Sequence, residues 1–168
     1  MEKIVTMLQD ELLYKKYSNI GVLHLPKCLR IEMLYKSPFA TYEQRPYVCA
    51  APTECFKVQI SEIDNQSDFI TLKDGVLYSK DMNRLIFCWQ EKEYFSVPQS
   101  VKVIEPFAFC LQKNLQNIEL HNDIVSIGNA AFMGCEALEH IAIPRSVMEI
   151  KSDTFDGCIS LKNVELHD

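Results

Sequence analysis

Three consecutive segments of 23 residues decide the fold. Residues 98–120 read PQSVKVIEPFAFCLQKNLQNIEL, residues 121–143 read HNDIVSIGNAAFMGCEALEHIAI, and residues 144–166 read PRSVMEIKSDTFDGCISLKNVEL. They align without gaps, and the same positions are apolar in each: position 4 (Val101, Ile124, Val147), position 7 (Ile104, Ile127, Ile150) and position 12 (Phe109, Phe132, Phe155). One such unit cannot bury its apolar side alone, so the period predicts a solenoid of stacked coils.

Each unit contains signals for local structure. The closing pattern L-x-x-I-x-I predicts a short strand whose alternate side chains point inward, and successive strands would pair in parallel, roughly 4.8 Å apart. The V-x-x-I stretch predicts a second extended piece on the opposite side. The A-F-x-G-C stretch is small and glycine-marked, which indicates a turn or a 3₁₀ segment. The phenylalanines at position 12 would then form a column of rings. We therefore expect a mainly-β or α/β-type solenoid with little α-helix.

Composition narrows the function classes. The chain has 168 residues and a formal net charge of −6, which disfavours general nucleic-acid binding. No apolar run approaches the roughly 20 residues of a membrane span. The first residues, MEKIVTMLQDELLYKK, mix acids and lysines and do not resemble an export signal.

The seven cysteines predict free thiols. Their number is odd, and no two are spaced as C-x-x-C. Cys135 and Cys158 both occupy position 15, so they should lie one coil apart. A disulfide is geometrically conceivable there, although two small buried side chains are the favoured interpretation.

The repeat pattern also carries a resemblance. S-V-x-x-I-x-x-x-x-F-x-G-C-x-x-L-x-x-I-x-I-P resembles the BspA-type (treponemal-type) leucine-rich repeat family, closely so over residues 98–166. Residues 56–97 are similar to a longer unit of that family, in which the coil strand is followed by an asparagine-containing turn and an inserted β-hairpin. This similarity implies three features: a coil strand at Val58 and Ile60, a hairpin formed by Val76–Ser79 and Leu85–Trp89, and a return to the solenoid at Phe95 and Val97.

The first 55 residues allow two interpretations. Residues 7–24 align with residues 71–88 at a constant offset and share six identities, which favours a degenerate copy of the hairpin or a cap. Residues 2–17, which overlap with this alignment, also fit an amphipathic helix with an apolar face. Residues 36–55 contain three prolines and predict loops.

The resemblance implies a binding function. Proteins of this family are mostly surface or secreted proteins linked to adhesion, which suggests a protein partner, a non-catalytic role and a location at the cell surface. If Met1 is the true start, the absence of an export signal instead favours an intracellular interaction scaffold. The residues themselves indicate a binding surface on the outward side of the strands: Tyr94, Asn117, Glu119, His121, His140, Asn163, Glu165 and His167.

Charge and motifs refine this expectation. Residues 98–168 contain five Lys/Arg and ten Asp/Glu, which gives −5, so a basic or mixed-charge protein is the favoured partner. Glu119 and His121 alternate on one strand and could form an ion pair. His121 and His167 would lie two coils apart, roughly 10 Å, which is too far to share a metal. No motif for catalysis or for a cofactor occurs.

Since solenoids need capped ends, we also expect an exposed edge at the last coil that a partner or a second copy closes.

Overall fold

The computed structural model describes residues 19–25, 59–88 and 90–166, with the backbone alone for 19–25 and 59–63. This part of the chain contains strands and turns and no helix. The strands are β1 (Asn19–Leu25), β2 (Gln59–Asn65), β3 (Ile70–Lys73), β4 (Val76–Ser79), β5 (Arg84–Cys88), β6 (Tyr94–Ser96), β7 (Val103–Ile104), β8 (Asn117–Glu119), β9 (Ser126–Ile127), β10 (His140–Ile143) and β11 (Asn163–Leu166). The chain divides into two compact units, residues 1–70 and residues 71–168.

The described residues of the first unit form one parallel pair of strands. β1 lies beside β2, with Asn19 opposite Gln59 at one end. After β2, the Asn65 side chain accepts a hydrogen bond from the Ser67 N–H at 3.1 Å and donates one to the Ile70 carbonyl at 2.9 Å. This is the expected asparagine-containing turn, in which the side chain replaces a backbone partner. The predictions for residues 1–18 and 26–58 lie outside the described residues.

The second unit is the predicted solenoid. Its strands form a four-stranded sheet in the order β11-β10-β8-β6 and a five-stranded sheet in the order β3-β4-β5-β7-β9. The pairs between successive coils are parallel. The inserted hairpin is confirmed, because β4 pairs antiparallel with β5. The turn before it is formed by Asp74 and Gly75, both at positive φ, as a two-residue hairpin loop requires.

The core lies between these two sheets and follows the repeat. We number the coils 1 (98–120), 2 (121–143) and 3 (144–166). Phe109 and Phe132 are fully buried, and their rings stack at 5.4 Å between centroids with an 11° angle. Phe155 continues the stack at 5.8 Å, and Phe95 begins it at 5.3 Å in a tilted contact. The predicted column of rings is therefore confirmed.

Burial decreases in coil 3. Ile104 and Ile127 are fully buried at position 7, whereas Ile150 at the same position is 43% exposed. Val164 and Leu166, which occupy the inward positions of β11, are 37% and 67% exposed. The inward side chains that the sequence predicts are thus buried in coils 1 and 2, whereas in coil 3 the described residues cover them only in part.

The A-F-x-G-C stretch forms consecutive turns with a repeated backbone conformation. Position 10 of every coil has positive φ, and so does position 14: Phe107, Ala130 and Asp153 at the former, Leu111, Gly134 and Gly157 at the latter. The N–H groups of this segment consequently point along the solenoid. Phe109 N donates to Ala131 O at 2.7 Å, and the N–H of Phe132 donates to Thr154 O at 3.0 Å one coil later. The predicted turn thus forms a second ladder between coils.

Gly128 permits a close approach between the backbones of two coils. A β-carbon at this residue would overlap the backbone of Glu105 and Pro106 in the preceding coil. Backbone atoms cannot move aside as a flexible side chain can, so the coils would have to separate.

We predict that Gly128→Ala lowers the free energy of unfolding by about 2–3 kcal/mol, because one added carbon overpacks a rigid contact. Chemical denaturation measures this change. Ser152→Ala is the control, since Ser152 is exposed and its substitution should cost less than about 0.5 kcal/mol. Equal midpoints for Gly128→Ala and the unsubstituted chain would contradict the prediction.

Candidate protein-binding face

The outward side of the four-stranded sheet presents the candidate site, which we call the sheet face. It consists of the side chains that alternate with the buried residues of β6, β8, β10 and β11: Tyr94, Ser96, Asn117, Glu119, His140, Ala142, Asn163 and Glu165. Between them, Phe95, Ile118 and Ile141 point into the core and are at most 9% exposed. Strand alternation therefore places the polar residues on the surface.

Register arranges the sheet face in two rows across the strands. In the first row, Tyr94 lies opposite Asn117, Asn117 opposite His140, and His140 opposite Asn163. Two residues further along each strand, the second row contains Ser96, Glu119, Ala142 and Glu165. The first row carries hydrogen-bonding groups without a fixed charge, and the second row contributes two carboxylates separated by a small side chain.

Two contacts link the rows. The Tyr94 hydroxyl is hydrogen-bonded to the Glu119 carboxylate, and this bond, with the charge of Glu119, raises the pKa of Tyr94 above its ordinary value. His140 Nε2 lies 3.9 Å from Glu165 Oε1, and both side chains are about half exposed. Each contact joins neighbouring strands, so the side chains are oriented by the sheet and remain accessible to a ligand.

His121 does not lie on this sheet face, although the repeat pattern places it there. β8 ends at Glu119, and His121 follows in a turn, where it is half-buried. Its Nε2 lies 3.0 Å from the Pro98 carbonyl, and its Nδ1 accepts a hydrogen bond from Asp123 N at 3.3 Å. This pattern fits a neutral ring with the hydrogen on Nε2, an assignment made from its partners. The expected pairing of Glu119 with His121 is replaced by these contacts.

The other residues of the sequence analysis are placed as follows. Pro144 follows β10 at an outward position by strand alternation, yet it is buried. His167 lies outside the described residues. Tyr94, Asn117, Glu119, His140, Asn163 and Glu165 come together on the sheet face. The predicted binding residues do not include Ala142, whose small side chain leaves space between Glu119 and Glu165. Its position in the repeat was the signal that could have identified it as part of the sheet face.

The described ranges lack two other kinds of feature. There, no three or more His, Cys, Asp or Glu side chains are arranged to hold a metal ion. In the part of the chain that the structure describes, no helix combines the length and the apolar character that crossing a membrane requires.

Comparison with known proteins agrees with this architecture. The BspA type leucine-rich repeat region matches residues 80–168 in six copies, which is just over half of the chain. The chain belongs to the BspA-type leucine-rich repeat family. Members of this family are typically non-catalytic repeat proteins. A search of curated proteins gave no match.

Three solved structures are similar to this BspA-type repeat chain. A leucine-rich repeat protein from Eubacterium ventriosum is 29% identical, with a TM-score of 0.59, over 64% of this chain and 29% of the other. A leucine-rich cell surface protein from Faecalibacterium prausnitzii is 28% identical, with a TM-score of 0.43, over 66% and 42%. The pneumococcal vaccine antigen PcpA is 16% identical, with a TM-score of 0.46, over 88% and 45%. The chain thus spans less than half of the length of each.

We predict that Glu119→Ala lowers the pKa of Tyr94 towards its ordinary value, because the substitution removes both the acceptor of the hydroxyl hydrogen and the nearby negative charge. A pH titration of the Tyr94 ring by carbon-13 NMR measures it. Glu165→Ala, two coils away in the same row, is the control and should leave the titration of Tyr94 unchanged. An identical Tyr94 curve before and after Glu119→Ala would show that the two groups do not interact.

Proposed function

We propose that this chain is a non-catalytic protein-binding module of the surface or secreted adhesion type, and that it binds a protein ligand through the sheet face. The observation that carries the proposal is the first row, in which four exposed hydrogen-bonding side chains lie in register across four strands. Parallel pairing fixes their spacing at roughly 4.8 Å. Side chains held in register on a sheet lose less entropy when a partner binds than side chains on a flexible segment do.

The chemistry of the sheet face favours a polypeptide ligand. Asn117, His140 and Asn163 offer both donors and acceptors, which match the amide groups of another protein. Tyr94 is 53% exposed and provides apolar area together with a hydroxyl, a combination that is enriched at binding hot spots. The proposed surface or secreted location rests on what membership of the family leads us to expect.

Charge supports a basic or mixed-charge protein. Glu119 and Glu165 lie in the second row, and residues 98–168 carry a formal charge of −5. Such a surface accelerates encounter with a positively charged partner and repels the phosphates of nucleic acid.

A second candidate function, an intracellular interaction scaffold, is favoured by the cysteines. Four cysteines of the described residues have free thiols: Cys88, Cys110, Cys135 and Cys158. Free thiols are typical of reducing compartments. This candidate would use the same sheet face and differs in location and in partner.

The binding test compares two double variants of the full chain against a panel of purified extracellular-matrix proteins. We expect at least one panel protein to bind, and Tyr94→Ala/His140→Ala to weaken that binding by about tenfold or more, as removal of hot-spot side chains does. The matched control is Lys102→Ala/Val125→Ala, which truncates exposed side chains beside the five-stranded sheet. Equal loss in both variants would place the binding surface elsewhere, and no binding to any panel protein would contradict the adhesion role. Circular dichroism verifies that each variant is folded.

We further propose that a second copy of this chain covers the edge of coil 3. This coil contributes most of the exposed large apolar side chains among the described residues: Met148 (89%), Ile159 (80%), Leu166 (67%), Ile150 (43%) and Val164 (37%). Among the described strands, β11 is the last of its sheet, and the open edge of such a strand readily pairs with another chain.

The test of this pairing is sedimentation velocity over a concentration series. We expect the chain to dimerise, and Val164→Lys to abolish the dimer by placing a charge in the apolar contact. Val125→Lys, a change at a residue that is 53% exposed in coil 2, should leave the dimer intact. A monomer at every concentration would rule out the second copy.

A further inference from the structure

Two cysteines occupy equivalent positions in adjacent coils. Cys135 and Cys158 are both at position 15, 23 residues apart. Cys135 Sγ donates to the Phe109 carbonyl at 3.2 Å, and Cys158 Sγ donates to the Phe132 carbonyl at 3.1 Å. Because each thiol reaches the same carbonyl of the preceding coil, the two side chains have the same orientation.

The backbone holds these residues at a distance suited to a covalent link. Gly134 N donates to Asp156 O at 2.7 Å, immediately beside Cys135 and two residues before Cys158. Segments joined in this way lie roughly 5 Å apart, within the separation of α-carbons that a disulfide bridges. Each thiol is also close enough to the other to form a hydrogen bond.

We propose that Cys135 and Cys158 are a redox latch, which closes to a disulfide under oxidising conditions and fastens coil 3 to coil 2. The latch goes beyond the proposed binding function and does not depend on it. Its physical effect follows from burial, since Ile150, Val164 and Leu166 of coil 3 are 37% to 67% exposed and hold this coil weakly.

The surroundings select this pair over the other described cysteines. In coil 1, position 15 is Gln112, whose side-chain amide donates to the Cys88 carbonyl at 2.7 Å. Cys110 is two positions earlier in its coil, and the residues at its position in the next two coils are Met133 and Asp156. The Cys88 thiol donates to the Gln90 carbonyl at 3.3 Å and is fully buried, and burial raises its pKa to about 12.

The chemistry needs an external oxidant, for which a small disulfide such as oxidised glutathione suffices. Cys158 is the half-buried member and the one that the oxidant can reach. When Cys158 loses its proton, the Cys135 S–H can turn from the Phe109 carbonyl to the Cys158 sulfur; this interaction lowers the pKa of Cys158 and, together with burial, raises the pKa of Cys135. Cys158 is thus the attacking thiolate and Cys135 the resolving thiol.

The two steps balance. Cys158, after losing its proton, attacks one sulfur of oxidised glutathione, forms a mixed disulfide and releases one glutathione thiolate. Cys135 then loses its proton and attacks the Cys158 sulfur, which releases the second glutathione thiolate. The two protein thiols lose two protons and two electrons, and the two glutathione thiolates take up the protons.

The test oxidises the reduced full chain with oxidised glutathione, alkylates the remaining thiols and maps the peptides by mass spectrometry. We expect a peptide pair joined at Cys135 and Cys158, lighter by two hydrogens, that separates on reduction. Cys110→Ser should give the same link, and Cys158→Ser should give none. We also expect proteolysis at Lys151 and Lys162 to slow by roughly tenfold on oxidation, because the link suppresses opening of coil 3.

Several results would overturn the latch. These are a stable glutathione adduct on Cys158 without a link, pairing of Cys135 with another cysteine, or a link that forms equally well in the urea-unfolded chain. Unchanged proteolysis despite a complete link would show that the disulfide does not fasten coil 3. Because mapping of the unsubstituted chain decides the pairing, a variant that fails to fold does not remove the test.

Discussion

The hydrogen bonds between the turns of successive coils fix the spacing on which the rest of the solenoid depends. In each pair of coils, N–H groups of the earlier turn donate to carbonyls of the later one, as from Leu111 to Met133 and from Gly134 to Asp156, both at 2.7 Å. Buried backbone groups must be paired, so the chain can advance only by one hydrogen-bonded step per coil. The phenylalanine rings and the parallel strands then take up the same spacing.

This ladder requires a backbone that most residues avoid. Gly134 and Gly157 adopt left-handed conformations without steric cost, but Leu111 adopts one at the same position with φ of 61°. Phe107 and Ala130 do so at position 10. Each non-glycine residue of this kind costs on the order of 1 kcal/mol, which the coil-to-coil hydrogen bonds and the adjacent ring stack must offset. Residues other than glycine are therefore tolerated at these positions only because the coil-to-coil hydrogen bonds and the ring stack hold the turn in this conformation.

The sequence was sufficient to predict features that recur with the period. Burial of Phe132 and exposure of Asn117 follow from three aligned copies and strand alternation, and both are confirmed. Features set by a single local contact escaped it. β8 ends before His121 because that side chain binds the backbone of its own turn, which competes with strand pairing.

The ion pair of Arg84 with the buried Glu105 shows the same limit. It joins the inserted hairpin to coil 1, and neither residue has an equivalent elsewhere in the repeats, so alignment gives no signal. From the repeat alone, the charged Glu105 at position 8 would be expected on the surface. The hairpin strand β5 packs against it and buries it. Long-range pairs between a repeat and a non-repeated insertion are thus the part of such a fold that a period cannot reveal.

The sheet face and the stability of coil 3 are physically connected. Asn163 and Glu165 lie on β11, whose neighbouring residues Val164 and Leu166 are 37% and 67% exposed, in contrast to the buried inward residues of β8 and β10. The first row is therefore held firmly at Asn117 and less firmly at its β11 end. Anything that covers or fastens coil 3 reduces the entropy lost when a ligand orders that end, and by linkage a ligand that spans the whole row stabilises coil 3 in return. Covering the edge of coil 3, closing the latch and binding a ligand at the sheet face thus all shift one equilibrium, the closing of coil 3 onto coil 2.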